Sequence, residues 1–188
     1  MVVRLLVVAM MIFVSAVSGY AQQEKPRYEV SGGYSYTGFE SQNMNGWFGS
    51  FGGTVNPWLG LVGDLSGHYA SQSASGGGFS VSADTSLYSY RFGPRISKPV
   101  GQRMTPFAQM LFGGANIRTS GSTTTGSETF DVSQSVNGFA MGLGGGLDID
   151  ASERIGIRLL QVEYSMLRVQ SQNLNGVRLS FGLVYRLQ

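Results

Sequence analysis

The sequence predicts an all-β fold: an eight-stranded antiparallel up-and-down β-barrel that spans a membrane. Three observations carry this. The segment Val177–Leu187 sets Val177, Leu179, Phe181, Leu183, Tyr185 and Leu187 on one strand face and Arg178, Ser180, Gly182 and Arg186 on the other. The same period-two pattern recurs almost from end to end of the chain. Finally, the chain opens with an export signal: Arg4, the apolar run Leu5 to Val14, then small residues ending Gly19-Tyr20-Ala21.

Ser15 and Ser18 interrupt the leading apolar run well short of the roughly 20 residues that a spanning helix requires. Residues 1–21 therefore read as a signal peptide, 22–27 as a short periplasmic lead and 28–188 as the barrel. Cleavage after Ala21 leaves 167 of the 188 residues, one domain's worth. Glycine supplies 28 residues, about twice its ordinary share, and charged residues only 13%, against roughly 25% in soluble domains. Such a composition suits a wall with lipid outside and a narrow lumen inside. The near-neutral balance of 13 basic and 11 acidic residues implies no nucleic-acid partner. With no cysteine, disulfides, thiol chemistry and cysteine-ligated zinc are excluded.

Taken in order, Tyr28 to Thr37 sets Tyr28, Val30, Tyr34 and Tyr36 against Glu29, Ser31, Gly33, Ser35 and Thr37. Trp47 to Val55 returns, with Phe48 an apolar exception on its polar face, and Asn56-Pro57-Trp58 turns because proline cannot continue a paired strand. Leu59 to Tyr69 points Leu59, Leu61, Leu65 and Tyr69 outward and Asp64, Ser66 and His68 inward. Ala70 to Ser80 reads as a flexible Ser/Gly loop. Val81 to Ile96 opposes Tyr88, Tyr90, Phe92 and Ile96 to Ser89, Arg91, Gly93 and Arg95, and Ser97 to Met104 turns again.

In Thr105 to Arg118 both faces are apolar, so the direction of Phe107 and Leu111 stays open. Thr119 to Val136, rich in serine and threonine, reads as the longest loop. Phe139 to Ile149 points Gly142, Gly144, Gly146 and Asp148 inward, a lumen wall left bare by three glycines. After a turn at Asp150 to Glu153, Arg154 to Leu167 sets Leu160, Val162, Tyr164 and Met166 against Gln161, Glu163 and Ser165. Arg158 falls on the lipid-facing parity, so it either snorkels at the interface or marks a bulge that shifts the register. Long polar connections after the first, third and fifth strands and shorter ones after the second, fourth and sixth give the asymmetry of a barrel with outside loops. Tyr28, Tyr36, Trp47, Trp58, Tyr69 and Tyr185 gather near strand ends as interface aromatics.

At Tyr28-Glu29-Val30-Ser31-Gly32-Gly33-Tyr34-Ser35, Trp58-Leu59-Gly60-Leu61-Val62-Gly63-Asp64, Phe92-Gly93-Pro94-Arg95, Gly144-Gly145-Gly146-Leu147-Asp148 and Arg158-Leu159-Leu160-Gln161-Val162-Glu163-Tyr164, the chain resembles the small bacterial outer-membrane β-barrel proteins of the OmpA-like transmembrane type. The resemblance covers the mature chain. It implies the bacterial outer membrane as location, outer-membrane lipid as surroundings, the barrel-assembly machinery and periplasmic chaperones as partners in biogenesis, and a monomer. Two departures stand out. The chain closes Tyr185-Arg186-Leu187-Gln188 rather than on an aromatic residue, which shifts recognition by the assembly machinery to Phe181 and Tyr185. It also lacks the peptidoglycan-binding domain that some relatives carry, so no cell-wall tether is implied.

Glu29, Asp64, Arg91, Arg95, Asp148, Glu163, Arg178 and Arg186 form the expected lumen charge network, four acids balancing four bases. Charges withdrawn from water must be paired, because desolvation costs several kcal/mol per ion. Counting back from the hairpins places Glu163 opposite Arg178 and Asp64 opposite Arg91, and closure brings Glu29 beside Arg186. The expectation is a plugged lumen and a structural or surface-interaction role, with no catalytic, cofactor-binding or metal site. The alternatives are a narrow channel along the glycine face, a lipid-modifying rim enzyme built on His68, the only histidine, and a soluble periplasmic barrel, which the inward charges oppose. Gly76-Gly77-Gly78 and Gly144-Gly145-Gly146 lack the strand–helix setting and following Lys-Ser/Thr of a phosphate loop.

Overall fold

A computed structural model describes residues 28–39, 42–76, 79–125, 128–169 and 172–187. The signal peptide and the lead read in the sequence lie outside them. The strands are β1 (Tyr28–Phe39), β2 (Gln42–Asn56), β3 (Leu59–Gly76), β4 (Phe79–Ser97), β5 (Met104–Thr125), β6 (Glu128–Asp150), β7 (Ile155–Val169) and β8 (Gln172–Leu187). Each pairs antiparallel with its sequence neighbours, and β1 pairs with β8 to close the barrel. No strand edge is left in the closed part, which is what a bilayer demands of backbone polar groups.

The register fixes the barrel's width. Following partners round the ring from Val30 through Phe51, Gly63, Phe92, Phe112, Met141 and Met166 arrives at Asn175. Val30 itself pairs with Tyr185, so the closing strand is staggered by ten residues (185 − 175). Eight strands with that stagger tilt by about 40° and enclose a cylinder of about 8 Å backbone radius, which side chains can fill.

Proline and glycine shape one end. Pro57 and Trp58 separate β2 from β3. Between β4 and β5, Val100 N–H donates to Met104 C=O (2.7 Å), and Gly101 takes φ of 66°, a conformation that glycine adopts without steric cost.

The other end departs from the sequence reading. Ala70 to Ser80 and Thr119 to Val136 are not loops: Ala70–Gly76, Phe79–Ser80, Thr119–Thr125 and Glu128–Val136 are paired strand. The asymmetry therefore lies in strand length rather than in loop length. β2 accompanies β3 only as far as Asn45↔Tyr69, and β7 meets β6 only from Phe139↔Arg168. Past those points β3 to β6 continue alone as a four-stranded sheet that projects beyond the barrel. Serine and threonine disguised it, although Thr is a good strand former and serines bond across the ladder, as Ser82 Oγ and Ser122 Oγ do at 2.7 Å.

Outward positions carry exposed apolar side chains, among them Leu61, Leu65, Tyr90, Phe92, Phe181 and Leu183. They form the lipid band. Inside, at the level where the sheet leaves the barrel, Met44, Leu87, Ala115, Ala140 and Leu167 make a buried apolar cluster, with Phe39, Ala70 and Ile117 against it. The rest of the interior is mostly polar and charged, with Phe48, Val62, Phe107, Leu111 and Val184 buried among those groups.

Candidate functional site

The structure places Asp64, Arg91, Arg95, Asp148, Glu163, Arg178 and Arg186 buried in the lumen and Glu29 half-buried at its lower end. Each inward position follows from strand parity, since side chains alternate between the two faces. Asp64 is the hub of the middle layer. Its Oδ1 accepts from Arg91 Nη2 (2.9 Å) and Arg178 Nη1 (2.8 Å), and its Oδ2 from Arg178 Nη2 (3.0 Å). Glu163, fully buried, completes a square: Oε1 accepts from Arg91 Nη1 at 2.6 Å and lies 3.5 Å from Arg178 Nε. Asp64↔Arg91 and Glu163↔Arg178 are register partners, yet each arginine reaches both acids.

Gln109 joins this square to the layer below. Its Nε2 donates to Glu163 Oε2 (3.4 Å) while its Oε1 accepts from Arg95 Nε and Nη2 (3.0 and 2.8 Å). Arg95 pairs across the lumen with Glu29. The sequence reading put Glu29 beside Arg186, and the two are indeed register partners, but their ion pairs go elsewhere. Arg186 Nη1 meets Asp150 Oδ1 at 2.5 Å. A long arginine crosses a narrow lumen as easily as it lies along the wall, so register neighbours and ion-pair partners need not coincide.

Asp150 escaped the sequence, whereas Arg158 takes the second of the two courses the sequence left open, the bulge. Asp150 ends β6 rather than standing in a turn, and no sequence signal marks it. Arg158 lies inside, only 1% exposed, because β7 carries one extra residue: Asp148 faces Arg158 while Leu147 faces Leu160. The bulge turns Leu159 and Leu160 both outward, and β8 sees the same shift between Arg158 and Gln161. Arg158 then holds Asp148 two-handed through Nε (2.9 Å) and Nη2 (3.0 Å). Its mismatch with lipid-facing parity was the signal.

The bare glycine wall is filled. A side chain at Gly142 would meet Arg91 Nη1 and Glu163 Oε1, each 2.6 Å away, and one at Gly146 would meet the Phe107 ring at 2.7 Å. Phe107 and Leu111, whose direction the sequence left open, both point inward. The Phe107 ring lies between two guanidinium groups, 4.5 Å from that of Arg95 and 4.6 Å from that of Arg158. Phe107→Leu removes both cation–π contacts while nearly keeping volume, so it is expected to cost about 1–2 kcal/mol, read as a lower denaturant midpoint at unchanged slope.

His68 does not reach a rim. It is buried below the apolar cluster, its Nε2 2.9 Å from Ser35 Oγ, which in turn lies 3.0 Å from Ser180 Oγ. Among the described residues its Nδ1 has no hydrogen-bond partner, so none of them orients the ring as a third group. Of the interface aromatics, Tyr28, Trp58 and Tyr185 stand at the end bearing the short turns and Tyr36, Trp47 and Tyr69 towards the projecting sheet. Tyr69 stacks edge-on against Tyr88, ring centroids 5.8 Å apart.

Among solved structures, the barrel is similar to Ail, the attachment invasion locus protein of Yersinia pestis. The identity is 16% and the TM-score 0.58, covering 86% of this chain and 99% of that one. It is also similar to a major outer membrane protein from Thermus thermophilus, at 15% identity and TM-score 0.51 over 85% of this chain and 99% of that one. At such identities the likeness speaks for the fold. No curated protein sequence matches the chain. The family model described as the outer membrane protein beta-barrel domain matches residues 6–186. With nearly the whole chain matched and the ring closed at eight strands, the protein belongs to the outer-membrane β-barrel family of the bacterial outer membrane.

Proposed function

We propose that this protein is a sealed, monomeric barrel that acts at the outer surface through its projecting sheet, and neither transports solutes nor catalyses a reaction. The observation that carries the reading is the filled lumen. A layer of paired charges runs from Glu29 to Arg178, and the apolar cluster of Met44, Leu87, Ala115, Ala140 and Leu167 closes the end beyond it. A permeating ion would have to part arginine–carboxylate pairs and then dewet a greasy constriction. The glycine face, the best argument for a channel, is occupied by Arg91, Glu163 and Phe107. The rim-enzyme reading needs an accessible base, and both His68 and Ser35 are buried.

What remains for function is the sheet of β3 to β6. Outer-membrane barrels keep short turns on the periplasmic side and direct their long connections outward. Assembly through the barrel machinery would use Phe181 and Tyr185 on the outer face of β8, both exposed to lipid.

The mature chain, reconstituted in planar bilayers, is expected to give no discrete conductance steps while its heat-modifiable gel mobility reports a folded barrel. Steps of steady amplitude from the folded protein would overturn the sealed-lumen reading. Cutting β3–β4 and β5–β6 back to the barrel rim is expected to leave fold and silence unchanged and to abolish surface binding.

A further inference from the structure

The projecting sheet is open, and its two edges differ. The free stretch of β3, Ala70–Gly76, offers small polar residues: Ser71, Gln72, Ser73, Ala74 and Ser75. That of β6, Glu128–Gly138, is longer and two-faced. On the side continuous with the lumen stand Phe130 and Val132, 64% and 71% exposed, followed by Gln134 and the half-buried Val136 near the mouth. On the other side stand Asp131, Ser133, Ser135 and Asn137. Asn116 Nδ2 pins the last two, donating to Ser135 Oγ (3.0 Å) and Asn137 Oδ1 (2.8 Å). Among the described residues β5 is the only strand beside this stretch. One side of its backbone therefore offers N–H and C=O groups to a further strand.

We propose that the free edge of β6 receives an extended segment of a partner polypeptide as a fifth strand, and that this segment alternates apolar and basic residues. The inference rests on the surface role argued above and names the partner. Main-chain pairing supplies the affinity of strand addition, and alternate side chains supply the specificity. Apolar residues of the incoming strand cover Phe130 and Val132, which are exposed in the free protein, and extend the cover over half-buried Val136. Basic residues on its other face meet Asp131, which borders a shallow depression shared with Asp84, Ser120, Ser122 and Ser133. That depression holds two carboxylates and no cation. The nearest cation on the same face, Arg118, stands opposite Ser135 and donates Nε to Asn116 Oδ1 at 3.2 Å. A second copy of the chain fits poorly, since joining two β6 edges would set Asp131 of each near the other and like charges across strands repel.

The test uses the full mature chain in nanodiscs of zwitterionic lipid and fluorescent nine-residue peptides of fixed design. A peptide of alternating lysine and valine is expected to bind saturably, and an alternating glutamate–valine peptide more weakly. A peptide of the same composition as the first with its lysines and valines in blocks is also expected to bind more weakly. N-methylation of every second amide should abolish binding. Val132→Lys removes about one buried valine's worth of contact and is expected to weaken binding about tenfold. Asp131→Asn should weaken it about two- to fivefold, with a shallower salt dependence. Both residues are exposed, and heat-modifiable mobility checks that the variants fold; Phe130→Lys replaces Val132→Lys if that variant does not.

Equal binding of the alternating and block peptides, or no binding, would overturn the proposal. So would a concentration-dependent dimer that Val132→Lys abolishes, since the occupant would then be a second copy. A silent barrel that binds no peptide sinks the edge alone, whereas a conducting one sinks the surface reading beneath it.

Discussion

Asp64→Ala is expected to destabilise the folded barrel by about 3–5 kcal/mol, or to prevent its accumulation, because it strands buried arginine charge. Asp64 accepts three hydrogen bonds from two guanidinium groups, Arg91 and Arg178, all of them buried. Without it Glu163 alone faces both arginines, and the middle layer carries one uncompensated positive charge. Phe48, Val62, Leu111 and Val184 occupy the neighbouring interior and are themselves buried. Urea unfolding of the detergent-folded protein, followed by tryptophan fluorescence, reads the loss. Asp64→Asn separates charge from volume and should cost nearly as much. Asp64→Ala combined with Arg178→Met should recover part of the loss, because replacing a buried pair with packed apolar groups is often close to neutral. A change below about 1 kcal/mol for Asp64→Ala would mean that water reaches this layer, and the plugged lumen would fall with it.

Gly144→Val is expected to be comparably damaging, at about 3 kcal/mol or complete loss of the folded band on gels. A side chain at Gly144 would run into the Val162 carbonyl oxygen of the adjoining strand and lie 2.6 Å from the Glu163 Cα. These are backbone atoms of a paired strand, so they cannot swing aside. Gly49 is the internal control: a side chain built there meets nothing within 4 Å, and Gly49→Val should change the midpoint little. Gly49 lies on the lipid-facing parity between exposed Trp47 and Phe51, so the comparison sets a glycine crowded by a neighbouring strand against one in open space and tests whether close strand approach is what requires glycine.

Fold class and strand count were legible because period-two alternation needs only a face of lipid and a face of lumen to produce it. The inward facing of Asp64, Arg91 and Glu163 follows from the same parity along strands that carry no irregularity between them and their nearest aromatic markers. Arg158 shows where parity stops: one extra residue at Leu159–Leu160 reverses every face beyond it, and only the improbable sight of an arginine in the lipid band betrays the insertion. Phe107 and Leu111 were illegible for the opposite reason, since both faces of β5 are apolar there and a lumen that buries grease beside charge accepts either. The projecting sheet was hidden by composition. Outside the bilayer no lipid enforces alternation, so serine and threonine strands look like loops, although Val81, Ala83, Phe130, Val132 and Val136 kept the period.

The charge network draws its members from strands far apart along the chain: Asp64 of β3 is held by Arg178 of β8, and Arg158 of β7 reaches Ser31 of β1 at 3.0 Å. Neither end of the protein can satisfy its interior alone. A half-assembled sheet in the bilayer would expose arginines and carboxylates whose counter-charges lie on strands not yet in place, so partially inserted forms carry a penalty that vanishes only at closure. Insertion, dehydration of the lumen and pairing of β1 with β8 are thereby coupled, because contacts between the two chain ends must form before the interior charges are all satisfied.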